Sequence, residues 1–198
     1  MARRHFKRSK PSRSYKKLYL ISTEGSKTEK GYFNLFNSRD SIIQVRCLSS
    51  KDRSSPNHVL KRMSRYLNDE GLRKEDEAWL VVDKDQWSEQ QLNSLLLWSR
   101  AEANYHLAVS APKFEFWLLL HFDDGQNVLS SGDCSRRLKR VLSGYDKGIQ
   151  QSRFGQAEIN RALSRAQELD NPPTVSWPTT NGTTVYRLVE QLLEGWGR

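Results

Sequence analysis

The chain has 198 residues, 36% hydrophobic and 28% charged, with a net charge of +9. That is enough apolar material for a sizeable core and too much for a disordered polymer. The longest apolar run, around Phe116 to Leu120, is far too short to span a bilayer. No apolar segment follows the basic N-terminus as a signal peptide requires. Cys47 and Cys134 lack CxxC spacing and a clustered histidine. The expectation is a cytoplasmic protein with reduced thiols and no zinc site.

The first expected element is a flexible basic arm over residues 1–17, with cations at Arg3, Arg4, Lys7, Arg8, Lys10, Arg13, Lys16 and Lys17 and no acid before Glu24. Such an arm suits a phosphate backbone, whose counterions it releases. The alternative is a solvated tail that only aids solubility. Leu18-Tyr19-Leu20-Ile21 reads as a buried strand stopping at a turn, Ser22-Thr23-Glu24-Gly25. A helix follows, with Tyr32, Phe33, Leu35 and Phe36 on one face, Ser26 as N-cap and Glu29 completing a capping box.

Ile42, Ile43 and Val45 suggest a second strand ending near Cys47-Leu48, and a helix is expected from about Asn57 to Asn68. The third strand is the clearest: Ala78-Trp79-Leu80-Val81-Val82 is apolar without alternation, as in a parallel sheet covered on both faces. It runs straight into Asp83-Lys84-Asp85. Ser88 then caps a helix to about Glu102, with Leu92, Leu95, Leu96 and Trp98 inward. Tyr105 to Ser110 is a fourth strand, and Pro112 sits in the first turn of a helix over 113–122. Three further helices are expected at 133–142, 156–169 and 183–194. The alternation through residue 122 predicts an α/β fold with a mostly parallel sheet and a C-terminal helical part, 123–198, within one domain over 18–198.

In an open α/β sheet, ligands collect at the carboxyl ends of the strands. Glu24 follows the first strand, Asp83 and Asp85 the third, and Glu115 falls in the first helical turn after the fourth. Residues i and i+2 at a strand end point to one side, so Asp83 and Asp85 are expected to face one ion or two adjacent ions. Clustered carboxylates repel unless a cation neutralises them. Hard oxygen donors without Cys or His point to Mg²⁺ or Mn²⁺, which suits phosphodiester chemistry. Glu115 also fits a simple helix N-terminal carboxylate, and Glu24 a turn residue. Lys27, in the turn after Glu24, and Lys113, near Glu115, could contact phosphate. Glu29 reads better as a cap than as a ligand. Lys84 should point away from the aspartates, and His121 reads as a core histidine. The segment Thr179 to Thr184 suits either a phosphate-binding loop or an N-cap loop.

Three ordered blocks, Leu18 to Phe33, Trp79 to Gln86 and Ser110 to Phe122, together resemble the RloB, or AbiLii-like, family. So do Tyr145-Asp146-Lys147, the 157–166 helix and the stretch from Trp177-Pro178 through Val189. Where that family usually has Ser-Asn-Pro, this chain has Ser110-Ala111-Pro112. The resemblance implies a Toprim-like fold marked by a Glu after the first strand and a later DxD, which Glu24, Asp83 and Asp85 match. It also implies a role in phage-defence or restriction-modification loci and control by an RloA-like AAA-type ATPase. The combined expectation is a Mg²⁺-dependent nuclease acting on DNA or RNA. Its alternative is a non-catalytic nucleic-acid or nucleotide-binding subunit of a defence complex.

Overall fold

A computed structural model of the chain describes residues 15–48, 56–146 and 148–197. Its centre is a five-stranded sheet in the order β2-β1-β3-β4-β5. The strands are β1 (Lys17–Thr23), β2 (Ile43–Leu48), β3 (Glu77–Asp83), β4 (Tyr105–Ala111) and β5 (Gly182–Thr183). The first four run parallel, and β5 lies antiparallel to the end of β4, with Ser110 opposite Thr183. Such parallel pairs need crossover connections, here supplied by helices. The chain leaves β1 toward β2 and then crosses back past β1 to β3. The direction of winding therefore reverses between β1 and β3, and the carboxyl ends of those two strands flank a topological switch point.

Side chains alternate across the sheet with the strand period of two. Tyr19, Ile21, Trp79, Val81 and Ala108 face one core; Leu20, Ala78, Leu80, Val82 and Val109 face the other. The second face is covered by α2 (Pro56–Glu70) and α3 (Glu89–Ser99), through Val59, Met63, Leu92 and Leu95. The first face carries α1 (Thr28–Phe33), α4 (Phe114–Leu120), α5 (Ser131–Val141), α6 (Gln156–Leu169) and α7 (Val185–Gly195). The C-terminal helices are thus one layer of the same fold. They bury α4, whose residues Phe116 to Leu120 are all inaccessible. This explains why the longest apolar run is a short helix with no polar face. No helix among the described residues is long and apolar enough to cross a membrane.

Several boundaries differ from expectation. β1 begins at Lys17, whose Nζ pairs with Glu77 Oε1 at 2.6 Å, and the Tyr15 hydroxyl donates to Asp76, so the end of the expected arm belongs to the fold. No capping box forms at α1. Its N-cap is Lys27, and the Glu29 carboxylate reaches back to Gly25 instead of to Ser26. Ile42 precedes β2 and is 53% exposed. The Ser88 capping box does form, but α3 ends at Ser99; Trp98 packs against the second core, as expected, and stacks on Tyr105. Pro112 lies before the N-cap of α4, Lys113, and not in its first turn. Thr183 belongs to β5, and α7 starts only at Val185. The reason is hydrogen bonding along the edge of β4. Ser110 Oγ meets Thr183 Oγ1 at 2.8 Å, and Val109 N donates to Thr184 Oγ1 at 2.9 Å.

Candidate active site

Two carboxylates sit at the switch point. Glu24, the residue after β1, is 8% exposed. Its Oε1 accepts the backbone N–H of Asp83 at 2.9 Å and the indole N–H of Trp87. Asp83, the last residue of β3, accepts the N–H of Phe114 on Oδ1 at 2.7 Å. That N–H is one of the donors a helix start leaves without an internal partner, so Asp83 serves as the acceptor that Lys113, the actual N-cap, does not supply. Burial pushes Glu24 up to about 7, with the charges of Glu29 and Asp85 adding to it and its two hydrogen bonds opposing. Asp83 is raised well above the ordinary range, first by desolvation and then by the charges of Glu24, Glu29 and Glu115. A rise of this kind marks carboxylates held together without a counter-charge.

Glu29 and Glu115 complete the cluster. Glu29 is 7% exposed and accepts the Gly25 N–H on Oε1 at 2.9 Å. Gly25 lets that carboxylate lie against the backbone: a Cβ would stand 2.2 Å from Glu29 Oε2 and would displace the side chain. Glu115 is partly buried in the first turn of α4, with the Tyr145 hydroxyl 3.5 Å from its Oε1. The same hydroxyl lies 3.3 Å from Thr28 Oγ1, which places a phenol between α1 and α4 at the rim. Burial raises the Tyr145 pKa, so the phenol stays protonated and able to donate.

Asp85 departs from the expected geometry. β3 stops at Asp83, and Lys84–Gln86 forms a 3-10 turn, so the i, i+2 relationship of a strand does not carry over. The Asp85 side chain is exposed and accepts the Ser131 hydroxyl at the start of α5. Its charge still reaches Glu24. Lys84 points away, as expected, with Nζ on the carbonyls of Pro178 (2.9 Å) and Thr179 (3.1 Å). Lys27 is exposed at the start of α1, while Lys113 donates to Ser135 Oγ at 2.7 Å.

Behind Glu24 lies Arg62 of α2. Its Nη2 donates to the Thr23 carbonyl, while Nε and Nη1 are buried without a hydrogen-bond partner. Burial lowers its pKa, and the charge of Glu24 opposes this. Among the described residues, no three Asp, Glu, His or Cys side chains are gathered closely enough to form a ready metal cage. The donor set at the rim is nonetheless purely carboxylate. Mg²⁺ commonly takes only one or two protein carboxylates and keeps several waters, so these residues fit that ion better than one needing a closed cage.

The family model for RloB-like proteins matches residues 19–192. The chain belongs to the RloB-like family. No curated protein and no solved structure shows significant similarity to it. In this RloB-like chain the match covers every element of the sheet and all four carboxylates of the switch point, but not the basic arm. Arg3, Arg4, Lys7, Arg8 and Lys10, and also Lys147, lie outside the described residues.

Sequence reasoning placed Glu24, Asp83 and Glu115 on the rim that the fold builds. It set Glu29 aside as a helix cap and gave no role to Arg62 or Trp87. A signal for Glu29 was present: an acid four residues after a glycine, inside a turn at a strand end. For Trp87 the signal was an indole two residues after the DxD. His121 is an interior residue, as expected. It is fully buried between Trp117 O (3.0 Å from Nδ1) and the Tyr32 hydroxyl (3.1 Å from Nε2), and burial lowers its pKa to about 3, leaving it neutral.

Proposed function

We propose that this RloB-like chain is a Mg²⁺-dependent nucleic-acid phosphodiesterase. The observation that carries the reading is the pairing of Glu24 and Asp83: two desolvated carboxylates at adjacent strand ends, both raised in pKa, with Glu29 and Glu115 adding like charge. A fold gains nothing in stability from this arrangement without a cation, since desolvation and repulsion both disfavour it. Glu24 and Asp83 would hold the ion, with Asp85 and Glu115 at its periphery. When bound, Mg²⁺ supplies Lewis-acid polarisation of a phosphodiester and stabilises the leaving oxygen.

The remaining roles fall to this chain's own side chains. Trp87 and the Asp83 N–H both bond Oε1 of Glu24 and so fix its carboxylate in place. Glu115, next to the Tyr145 hydroxyl, is placed to orient a water as base or positioning group. Lys27, exposed at the same rim, is the cation best placed to meet a phosphate. The basic arm, with Arg3, Arg4, Lys7, Arg8 and Lys10, adds substrate affinity, and an RloA-like ATPase provides control.

The test is cleavage of plasmid, single-stranded DNA and total tRNA in Mg²⁺ by the wild type and by Asp83→Asn with Asp85→Asn. The expected result is loss of hydrolysis in the double variant. Cleavage at the wild-type rate would refute the reading. One observation favours a non-catalytic receptor instead: the carboxylates share a rim without closing into a cage. That second reading predicts nucleic-acid binding without hydrolysis in any divalent metal.

A further inference from the structure

A groove of about 630 Å³ runs between α2 and α3 on the second face of the sheet. It begins at the candidate site. Trp87, which lines one end, donates its indole N–H to Glu24. On the other wall α2 is fastened to the end of β1, by the Arg62 bond to the Thr23 carbonyl and by Ser22 Oγ donating to Val59 O at 2.8 Å. From there α2 presents Lys61, Arg65 and Asn68 along the groove, with Ser64 beside them. Lys61 and Arg65 are both exposed. They stand one helical turn apart on the same side of the helix, a rise of about 6 Å. Asp69 is the acid at the far end.

Leu60, Trp87 and Leu95 give the floor apolar surface, and the polar side chains on the α2 wall suit a phosphate-backbone contact. Lys and Arg, with Ser and Asn side chains, are the groups that hold phosphate oxygens without reading sequence. At about 630 Å³ the groove is also small for a duplex. Its volume is that of a small-ligand cleft, room for a few nucleotides of one strand. The carboxylates at the site repel phosphate, so a polyanionic substrate needs cations alongside them. The two exposed cations continuous with the Trp87–Glu24 contact supply that.

We propose that the α2–α3 groove holds a single-stranded segment of the nucleic acid flanking the candidate site. This deepens the nuclease reading and rests on it for the choice of substrate, but binding is testable apart from hydrolysis. The experiment measures fluorescence anisotropy of labelled single-stranded DNA, single-stranded RNA and a blunt duplex in EDTA, across a salt series. The full chain is compared with Lys61→Gln/Arg65→Gln and with Lys139→Gln/Arg140→Gln, two exposed cations of α5 that lose the same net charge.

The groove variant is expected to bind single strands about ten-fold more weakly and to lose about 1.4 from the slope of log K against log salt. The α5 variant should keep both, and both variants should keep the wild-type melting temperature. Unchanged single-strand affinity in the groove variant, or an equal loss in the α5 variant, overturns the proposal. So does an equal loss on the duplex. If hydrolysis is absent in Mg²⁺ but the groove effect persists, the nuclease reading fails while the groove stands. If hydrolysis is present and the groove effect is absent, the reverse holds.

Discussion

Glu24 accepts the backbone N–H of Asp83 at 2.9 Å, so the carboxylate that ends one strand is fixed by the main chain of the acidic residue that ends its neighbour. The position of one acid depends on the other. Replacing either changes the electrostatics of both, and the predictions below turn on that coupling.

The first concerns pH and stability without metal. Glu24 sits at about 7 in the folded protein against an ordinary value of 4.5. Between those values the folded state holds a proton that the unfolded state has lost. Stability of the metal-free protein therefore falls as pH rises from about 4.5 to about 7, by on the order of 3 kcal/mol from this group. Asp83, raised in the same direction, adds to the fall. Glu24→Gln keeps an acceptor for both hydrogen bonds and removes the charge. In EDTA its melting temperature should exceed the wild type's at pH 8 by several degrees, at about 2–4 °C per kcal/mol, and match it near pH 4.5. Identical melting curves at both pH values would count against a buried ionised Glu24.

The second concerns the ion. Millimolar Mg²⁺ or Mn²⁺ should raise the melting temperature at pH 8, since a ligand at 100 times its Kd adds about 2.7 kcal/mol. Asp83→Asn keeps the oxygen that accepts the Phe114 N–H and should abolish most of the shift. Calorimetric titration with Mn²⁺ provides a direct check, and absence of binding in the wild type would remove the metal from the account.

The third isolates Glu29. Gly25→Ala places a methyl where the Glu29 carboxylate lies. The displaced acid no longer accepts the Gly25 N–H, at a cost of about 1–3 kcal/mol, and the Mg²⁺-induced shift should shrink. Adding Glu29→Ala makes room for the methyl and should recover part of the stability but none of the metal response. Gly148→Ala, where the methyl meets open space, is the control and should change neither. Full Mg²⁺ response in Gly25→Ala would show that Glu29 is structural only.

The fourth concerns Tyr145. Removing its hydroxyl takes a donor from Glu115 and a partner from Thr28 while leaving the ring in place. Tyr145→Phe should cut kcat for nucleic-acid hydrolysis about ten-fold with little change in KM, the pattern of a group acting in the transition state. A rise in KM alone, or a large fall in melting temperature, would assign the tyrosine to substrate binding or packing.

What the sequence made legible follows from local physics. The apolar runs at 18–21 and 78–82, β-branched or aromatic in character and bounded by turn residues, read as strands covered on both faces, and acids just beyond them fall at the carboxyl rim. Other features depend on contacts that no local pattern records. Glu29 has the spacing of a cap, and only the turn at Gly25 decides that it reaches inward. Asp85 looks like the partner of Asp83 until the strand ends at Asp83 itself, two residues short of what the i, i+2 argument needs. Thr183 carries the hydroxyl of a plausible N-cap, yet a two-residue strand has no periodicity to detect. Tyr145 meets Thr28 across 117 positions of chain. Arg62 sits in a helix whose apolar stripe hid the one cation turned toward the end of β1.

Lys84, between the two aspartates, is tied to carbonyls 94 and 95 residues downstream, and β5 closes the sheet edge beside Ser110 from 73 residues away. Contacts this far apart in sequence form only after a long loop has closed, at an entropic cost that local contacts do not carry. During synthesis the rim acids emerge in the first 115 residues, while the carbonyls that hold Lys84 and the strand that pairs with the end of β4 come only with residues 178–184. A nascent or truncated chain would present acids without their finished frame. The frame around these acids is therefore finished only when residues 178–184 have docked on Lys84 and on the edge of β4.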